Sequence, residues 1–241
     1  MIGAVRVLVT RPEENAGPLT ERLAALGLEP VACPLVRIEP IAEPASVDVS
    51  GYDWVVVTSR TGAAELARRS RGTLPRLAAI GPGTAAELAA HGLAAALVPE
   101  VSTQEGLVAA FPRPAGRVLF AGAEGARRVV VDELAADFVA LYRTVPAPPR
   151  GGLPAGDVVV VASPSAARVL GEAWAAAAAS PSESRPLVVS IGPQTSLAAR
   201  AAGLTVAVEA EHFDLDGLVE AIVAAAERVA APGAGARGSA P

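Results

Sequence analysis

Polar turns that combine hydroxyl groups with glycine or proline recur along this sequence, each at the end of an apolar run. The turns are Thr10-Arg11-Pro12, Thr58-Ser59-Arg60, Gly81-Pro82-Gly83-Thr84, Ser102-Thr103, Gly122-Ala123, Ser163-Pro164-Ser165 and Gly192-Pro193-Gln194-Thr195. Each stands before a predicted helix, where unpaired backbone N–H groups and the positive end of the helix dipole bind carboxylate or phosphate oxygens. Any one of these hydroxyls alone is explained as a helix cap. Their repetition favours an anion-binding function.

Arginines near these turns offer a second way to bind anions, because a guanidinium group pairs bidentately with a carboxylate. The candidates are Arg11, Arg60, Arg127, Arg128 and Arg168. The Arg127-Arg128 pair stands at a predicted helix start, where the helix dipole disfavours a cation. One of two adjacent arginines usually faces solvent, so a ligand role and a solvated surface both stay open for this pair.

Side chains that commonly catalyse reactions are scarce. His91 precedes a glycine at a helix end and suits a cap, and His212 has no second ligand at metal spacing. Cys33 is the only cysteine, which excludes an internal disulfide and a thiolate metal site. We therefore predict no metal and no cofactor. Tyr142, judged by position alone, is an interfacial aromatic residue.

The elements that would position these residues follow an alternating pattern of β-branched runs and Ala/Leu-rich stretches, which is typical of βα units around parallel sheets. Strands are predicted near Val5–Val9, Glu29–Cys33, Trp54–Val57, Leu77–Ile80, Ala95–Val98, Val118–Ala121, Phe138–Val145, Val158–Val161, Val188–Ile191 and Thr205–Val208. Helices are predicted near Ala16–Leu26, Gly62–Arg69, Thr84–His91, Thr103–Phe111, Ala126–Ala136, Ser165–Ala179, Thr195–Ala202 and Leu215–Val229. Ten strands favour two sheets of five. Ligands bind beyond the carboxyl ends of parallel strands, where the polar turns are expected.

The chain also repeats part of itself. Residues 57–66 match residues 161–170, Ile80-Gly81-Pro82-Gly83-Thr84 matches Ile191-Gly192-Pro193-Gln194-Thr195, and Gly106-Leu107 matches Gly217-Leu218. Repetition of βα units in the same order indicates a duplicated fold.

Composition limits the class of protein. The 241 residues are 51% hydrophobic but only 3% aromatic, so the cores must be aliphatic. A net charge of −5 argues against a general nucleic-acid binder. The N-terminus lacks the features of a secretion signal, and no uncharged apolar run reaches the roughly 18 residues of a membrane span, so we expect a cytoplasmic protein. The Gly-, Pro- and Ala-rich tail, residues 231–241, is expected to be disordered.

Taken in order, these turns resemble the uroporphyrinogen-III synthase family over nearly the whole chain. The markers are Val7-Leu8-Val9-Thr10-Arg11-Pro12, Thr58-Ser59, Ile80-Gly81-Pro82-Gly83-Thr84, Leu141-Tyr142-Arg143-Thr144, Ala162-Ser163-Pro164-Ser165, Ile191-Gly192-Pro193-Gln194-Thr195 and Leu215-Asp216-Gly217-Leu218. No marker is specific alone, and the match lies in their order and spacing. The resemblance implies an α/β fold of two flavodoxin-like or Rossmann-like parallel-sheet domains joined by a two-stranded linker. Residues 1–36 plus 148–230 would form the first, discontinuous domain, and residues 39–145 the second.

The reaction implied by the resemblance is the closure of hydroxymethylbilane, a linear tetrapyrrole with eight carboxylates, to uroporphyrinogen III. Water leaves from the hydroxymethyl end, ring D attacks through its substituted carbon, and a spiro intermediate re-closes with ring D inverted. The substrate also closes unaided, but without inversion. The task of the enzyme would therefore be mainly orientation, which suits a chain without an evident nucleophile, base or metal.

The resemblance also implies roles for individual residues. Tyr142 would assist departure of the hydroxyl group as an acid or hydrogen-bond donor, while Thr84, Ser163, Ser165 and Thr195 would line a cleft opposite Ser59 and Thr61. The full predicted substrate-binding set is Thr10, Arg11, Ser59, Arg60, Thr61, Gly81, Thr84, Ser102, Thr103, Gly122, Ser163, Ser165 and Thr195. One departure from the family pattern is the segment between Leu134 and Tyr142, which is several residues short.

Two other functions remain open on the sequence alone. A non-catalytic two-lobed small-molecule sensor or binding protein would also have two α/β lobes and a hinge. A methyltransferase or nucleotide enzyme is disfavoured, because no Gly-x-Gly-x-x-Gly motif follows the first strand. As partners we expect the tetrapyrrole substrate and a transient contact with the upstream bilane-forming enzyme, but neither nucleic acid nor membrane. The chain is expected to be a monomer.

Overall fold

The structure is a computed structural model that describes residues 5–177 and 185–231. The strands are β1 Arg6–Val9, β2 Glu29–Ala32, β3 Val36–Pro40, β4 Val47–Asp48, β5 Trp54–Val57, β6 Ser70–Arg71, β7 Arg76–Ala79, β8 Ala95–Leu97, β9 Val118–Ala123, β10 Asp137–Pro146, β11 Val158–Val161, β12 Leu187–Ser190 and β13 Val206–Glu209. The helices are α1 Glu13–Ala25, α2 Arg60–Arg69, α3 Pro82–Ala90, α4 Gln104–Ala110, α5 Val129–Leu134, α6 Pro164–Ala177, α7 Pro193–Ala201 and α8 Leu215–Ala230. The predicted tail, from residue 232 onward, and the predicted helix end at 178–179 lie outside the described residues.

The chain divides into two compact units, each of the α/β class predicted from the sequence. Unit 1 comprises Met1–Arg37 and Val145–Pro241, and unit 2 comprises Ile38–Thr144. None of the described helices has the length and apolar character needed to cross a membrane.

Unit 1 contains a parallel five-stranded sheet in the order β13-β12-β11-β1-β2. Its central strand β11 is Val-Val-Val-Val and is wholly buried, as expected for a strand covered on both faces. One face packs against α1 and α8 through Leu19, Leu23 and Ile222. The other packs against α6 and α7 through Leu170 and Ala199. Numbered along this unit alone, the strand order is 2-1-3-4-5, the flavodoxin-like arrangement.

Unit 2 contains a six-stranded sheet in the order β3-β10-β9-β5-β7-β8. The five strands from β10 to β8 are parallel. Leu66 of α2 and Leu88 of α3 pack on one face, and Leu107 of α4 and Val130 of α5 pack on the other. Without β3, the strand order along this unit is 3-2-1-4-5, the Rossmann order without its sixth strand.

The prediction of two five-stranded sheets is therefore wrong for unit 2, because β3 adds a sixth strand. The sequence Val36-Arg37-Ile38-Glu39-Pro40 alternates apolar and charged residues and ends in proline, which suits an edge strand rather than a buried one. β3 is hydrogen-bonded to β10 in the sheet, and just beyond the end of β3 the Ile41 amide donates to the Leu141 carbonyl. Both boundaries between the units fall within these strands, at Arg37/Ile38 in β3 and at Thr144/Val145 in β10. β3 and β10 therefore form the predicted two-stranded linker. The short β4–β6 pair was also missed.

Each sheet has a position where the strand order reverses, and ligands in open α/β sheets bind beyond the carboxyl ends of the strands there. In unit 1 the reversal lies between β1 and β11, and in unit 2 between β5 and β9. The turns after β1, β5 and β11 contain Thr10, Ser59 and Ser163, whereas Gly122, predicted to lie in a turn, lies within β9 itself. The fold thus places several of the predicted site residues at ligand-binding edges.

Candidate functional site

The most specific feature of unit 2 is a hydrogen bond between two hydroxyl groups, those of Ser59 and Tyr142. Ser59 follows β5 and caps α2, with its Oγ accepting the Gly62 amide at 2.9 Å. The Tyr142 Oη lies 2.8 Å from the same Oγ. Either hydroxyl can donate in this bond, because a serine oxygen that accepts the Gly62 amide still has a second acceptor position and its own proton. When the Ser59 hydroxyl donates, the phenolic proton is available for a ligand.

The short segment before Tyr142 still brings this residue to the carboxyl edge of the sheet. α5 is shorter than predicted and ends at Leu134, because Ala135 adopts the left-handed conformation with φ 48° and turns the chain directly into β10. A bulge at Leu141 then shifts the pairing, so that Ala140 is opposite Gly122 and Tyr142 is opposite Ala123. The bulge lets the consecutive residues Leu141 and Tyr142 join the same core.

Burial of the Tyr142 side chain controls its protonation. The residue is 7% exposed, and this burial raises the pKa of its phenol, while the hydrogen bond with Ser59 lowers the pKa by a smaller amount. The phenol is therefore protonated at neutral pH. Chemically, it can act as a hydrogen-bond donor or a weak acid towards a ligand, and it is poorly suited to act as a phenolate base.

Two glycines allow close packing around this pair. A Cβ atom on Gly122 would lie 3.1 Å from the Phe120 ring. A Cβ atom on Gly62 would lie 3.0 Å from the Ser59 Oγ and 3.5 Å from the Ala121 carbonyl oxygen. The predicted site residue Gly122 thus contributes space beside the Phe120 ring.

The start of α3 forms a second polar region of unit 2. Gly81 is the N-cap and Thr84 lies in the first turn, 5% exposed, with a hydroxyl that hydrogen-bonds to none of the described residues. The Arg60 guanidinium lies beside Gly83, where an added Cβ would be 3.3 Å from its Nε. The Ser102 hydroxyl lies against Gly81. The structure thus brings Arg60, Gly81, Thr84 and Ser102 together around one helix N-terminus.

In unit 1 the predicted site residues differ in whether their hydroxyl groups already have hydrogen-bond partners in the protein. Thr10 is fully buried and its hydroxyl donates to the Val160 carbonyl at 2.6 Å, which gives it a structural role. The Ser163 hydroxyl accepts the Ala166 amide at 3.2 Å, as a helix cap does. Thr195, in the first turn of α7, is 3% exposed, and its hydroxyl has no hydrogen-bond partner in the part of the chain that the structure describes. It is the counterpart of Thr84 in the repeat.

Most of the other candidates have protein partners of their own. Thr103 caps α4, and the Ser165 hydroxyl is 3.3 Å from Arg168. Arg11 also interacts with protein groups, and Thr61 is half-buried in the first turn of α2. His91 contacts Glu87, in agreement with a structural role at the helix end.

The Arg127-Arg128 pair is also accounted for within unit 2. Arg127 makes a bidentate ion pair with Glu105, at 2.6 and 2.9 Å. This hydrogen-bonded pairing lowers the pKa of Glu105 to about 2. Arg128 stacks over the Phe138 ring at 4.8 Å. A ligand carboxylate would therefore have to compete with Glu105 for Arg127.

Sequence reasoning passed over Phe213, which lies at the carboxyl edge of unit 1 and is 36% exposed. Its ring packs against Gly192, the N-cap of α7. The internal repeat contains a signal for Phe213, because Phe213 aligns with Ser102, a member of the predicted substrate-binding set. Within residues 5–177 and 185–231, no cluster of His, Cys, Asp and Glu could hold a metal ion.

Comparisons with known proteins agree with this arrangement of turns. A family model, HEM4, described as uroporphyrinogen-III synthase HemD, matches residues 17–220. The uroporphyrinogen-III synthase of Synechococcus elongatus is 28% identical in an alignment of 251 positions, gaps included, which covers 90% of this chain and 93% of that protein. The porphyrin biosynthesis protein HemD of Ruminiclostridium josui is 39% identical over 62 residues, which cover 24% of this chain and only 12% of that longer protein.

A solved structure shows the same fold. The uroporphyrinogen-III synthetase of Helicobacter pylori matches 91% of this chain and 99% of its own, with a TM-score of 0.61 and 14% identity. The family model extends over most of the chain and includes the turns at Ser59, Thr84, Ser163 and Thr195. The chain belongs to the uroporphyrinogen-III synthase family.

Proposed function

We propose that this chain closes hydroxymethylbilane to uroporphyrinogen III, with loss of water and inversion of ring D, as a step of tetrapyrrole biosynthesis. Its family supports this activity, and the observation that carries the mechanism is the Tyr142 phenol held 2.8 Å from Ser59 at the carboxyl edge of unit 2. The comparisons give no support to the alternative of a non-catalytic sensor.

Tyr142 donates a hydrogen bond to the hydroxyl group that leaves the substrate. Burial keeps the phenol protonated. In this mechanism the Ser59 hydroxyl, whose oxygen accepts the Gly62 amide at the start of α2, donates to the phenolic oxygen. The phenolic proton is thereby directed to a ligand. As the C–O bond breaks, this donor stabilises the charge that develops on the leaving oxygen. The N–H of the pyrrole that carries the leaving group loses the proton that completes the departing water, which leaves a neutral azafulvene. Ring D then attacks the resulting electrophile.

The carboxylates of the substrate bind to helix N-termini rather than to a strongly basic surface. The α3 and α7 N-termini each hold a threonine hydroxyl, Thr84 and Thr195, that lacks a hydrogen-bond partner among the described residues. A carboxylate can accept hydrogen bonds from such a hydroxyl and from the first-turn amides that have no carbonyl partner. At α3 the Arg60 guanidinium adds a charge of the right sign.

Orientation is the main contribution of the protein in this proposal, because the substrate loses water and closes without help but gives the uninverted type I isomer. The test is incubation of the purified chain with hydroxymethylbilane, followed by oxidation and chromatographic separation of the type I and type III porphyrins. The proposal expects mainly type III. Type I alone would indicate a binding protein without synthase activity. The cytoplasmic location, the monomeric state and a transient contact with the upstream enzyme stay predictions.

A further inference from the structure

Two loops occupy equivalent places in the duplicated units. In unit 2 the loop after β8 leads into α4, and in unit 1 the loop after β13 leads into α8. Each helix has a glycine in its first turn, Gly106 or Gly217, where a Cβ would collide with the carbonyl of the loop residue five positions earlier. Each of these glycine amides donates to the side chain of the N-cap residue. The two loops therefore follow the same local design.

The equivalent loops differ in the side chain that they place on the neighbouring helix. In unit 2 the Ser102 hydroxyl lies against Gly81, the N-cap of α3. In unit 1 the Phe213 ring lies against Gly192, the N-cap of α7, where an added Cβ would be 2.8 Å from the ring. Both glycines have extended backbones, so they are needed here for space and not for an unusual φ.

Phe213 is exposed although aromatic residues are rare in this chain. Only 3% of the residues are aromatic. Trp54, Trp174, Phe111 and Phe120 are buried, whereas Phe213 is 36% exposed at the ligand-binding edge of unit 1. Its ring stands beside the α7 N-terminus, where the Thr195 hydroxyl lies unpaired among the described residues. An apolar ring face and an anion-binding helix start are thus neighbours.

This pair of features matches the chemistry of one substituted pyrrole, which has a flat ring and carboxylate side chains. Resting on the proposed function, we propose that Phe213 binds the face of one pyrrole ring of the tetrapyrrole, while the α7 N-terminus and Thr195 bind a carboxylate attached to that ring. Ser102 offers a hydroxyl in the equivalent place, so the α3 N-terminus of unit 2 binds a carboxylate without an aromatic contact.

The test measures affinity without turnover, using uroporphyrin III, the stable oxidised macrocycle, as the probe in calorimetric titrations. Phe213→Ser, which copies the residue of unit 2, should weaken binding about tenfold, because a lost aromatic contact and its buried area are worth roughly a factor of ten. Phe213→Tyr should bind within about threefold of the wild type, since the ring is kept. Phe213→Leu keeps the apolar character but not the flat face, so its affinity should lie between those of Phe213→Ser and Phe213→Tyr.

Leu197→Ser is the matched control, because Leu197 is an apolar residue of α7 that is 64% exposed. It should leave the affinity unchanged. The inference would be overturned if Phe213→Ser or Phe213→Leu bound uroporphyrin III as tightly as the wild type does. It would also be overturned if Leu197→Ser lost as much affinity as Phe213→Ser. A fall in melting temperature that parallels the loss of affinity across the Phe213 variants would assign the residue a structural role and also overturn it.

Failure of this inference is distinguishable from failure of the proposed function. If the wild type forms the type III isomer and Phe213→Ser binds uroporphyrin III normally, only the role of Phe213 is wrong. If the wild type forms type I alone and does not bind uroporphyrin III, both proposals are wrong.

Discussion

Replacing Tyr142 by Phe removes one hydroxyl group and leaves the rest of the Ser59 cap in place. The Ser59 Oγ still accepts the Gly62 amide at 2.9 Å, so α2 keeps its N-cap. The lost bond to Ser59 is a neutral hydrogen bond of 2.8 Å, worth about 1 kcal/mol of folding free energy. We therefore expect a fall in melting temperature of only about 2–4 °C.

The effect of the same substitution on catalysis should be much larger. Removal of one preorganised donor to a charge that develops in the transition state costs about 100- to 1,000-fold in kcat. Because uncatalysed closure then competes, the product of Tyr142→Phe should shift from type III towards type I. Initial rates and isomer ratios from hydroxymethylbilane, measured at equal protein concentration, report both effects.

Tyr52→Phe is the control, since Tyr52 is the only other tyrosine and its hydroxyl bonds to Asp137 at 2.9 Å on an exposed surface. It should lose a similar hydrogen bond without loss of turnover. Full turnover and an unchanged isomer ratio in Tyr142→Phe would refute the assigned role.

The remaining predictions concern charge and stability. Arg69 is 2% exposed and its guanidinium bonds to the Glu65 carboxylate and the Ile41 carbonyl, so Arg69→Ala should lower the free energy of unfolding in urea by about 3–5 kcal/mol. Arg68 pairs with the same Glu65 from an exposed position, so Arg68→Ala should lower it by less than about 1 kcal/mol. Equal losses of unfolding free energy in the two variants would contradict this. The pKa of Glu105 is lowered to about 2, so its pairing with Arg127 stabilises the fold above about pH 4.5 and this contribution disappears as the pH falls towards 2. Glu105→Gln should lack that acid-dependent part, which is at most about 1 kcal/mol because the pair is half-exposed; identical acid profiles would disprove it. Burial raises the pKa of Tyr142, so its contribution to stability is complete below about pH 10 and is lost as the pH rises further, and Tyr142→Phe should unfold with less alkaline dependence than the wild type. Thr84→Val removes a hydroxyl without a hydrogen-bond partner among the described residues, so thermal stability should hold while KM rises about tenfold; an unchanged KM would remove Thr84 from the site.

The sequence alone predicts the buried parallel strands, because strands such as Val158–Val161 consist of β-branched residues without interruption. The sequence alone does not predict β3. The alternation of apolar and charged residues in Val36-Arg37-Ile38-Glu39 is typical of an exposed edge strand, but next to Pro40 such a segment also resembles a loop. Edge strands depend on a partner far along the chain, here β10, and no local pattern reports that pairing.

The same distinction holds for the site. The repeated turns pointed to Thr84 and Thr195, because their position in the first helical turn follows directly from the spacing after Gly81 and Gly192. The hydrogen bond between Ser59 and Tyr142 joins residues 83 positions apart, and it depends on a β-bulge at Leu141 that has no clear local signal. Likewise, the turn that contains Thr10 is typical of a ligand-binding hydroxyl, but the Thr10 hydroxyl donates to the Val160 carbonyl, a long-range bond that no local pattern predicts.

The central claim is that this protein decides which carbon of ring D joins the reactive end of the bilane. The most direct measurement is the fraction of type III isomer as a function of protein concentration, at fixed hydroxymethylbilane and with a chelator present. Uncatalysed closure proceeds at a constant rate, so we expect the type III fraction to rise with protein concentration and approach completion. A type III fraction that stays at zero over the whole titration would show that the protein does not direct ring D.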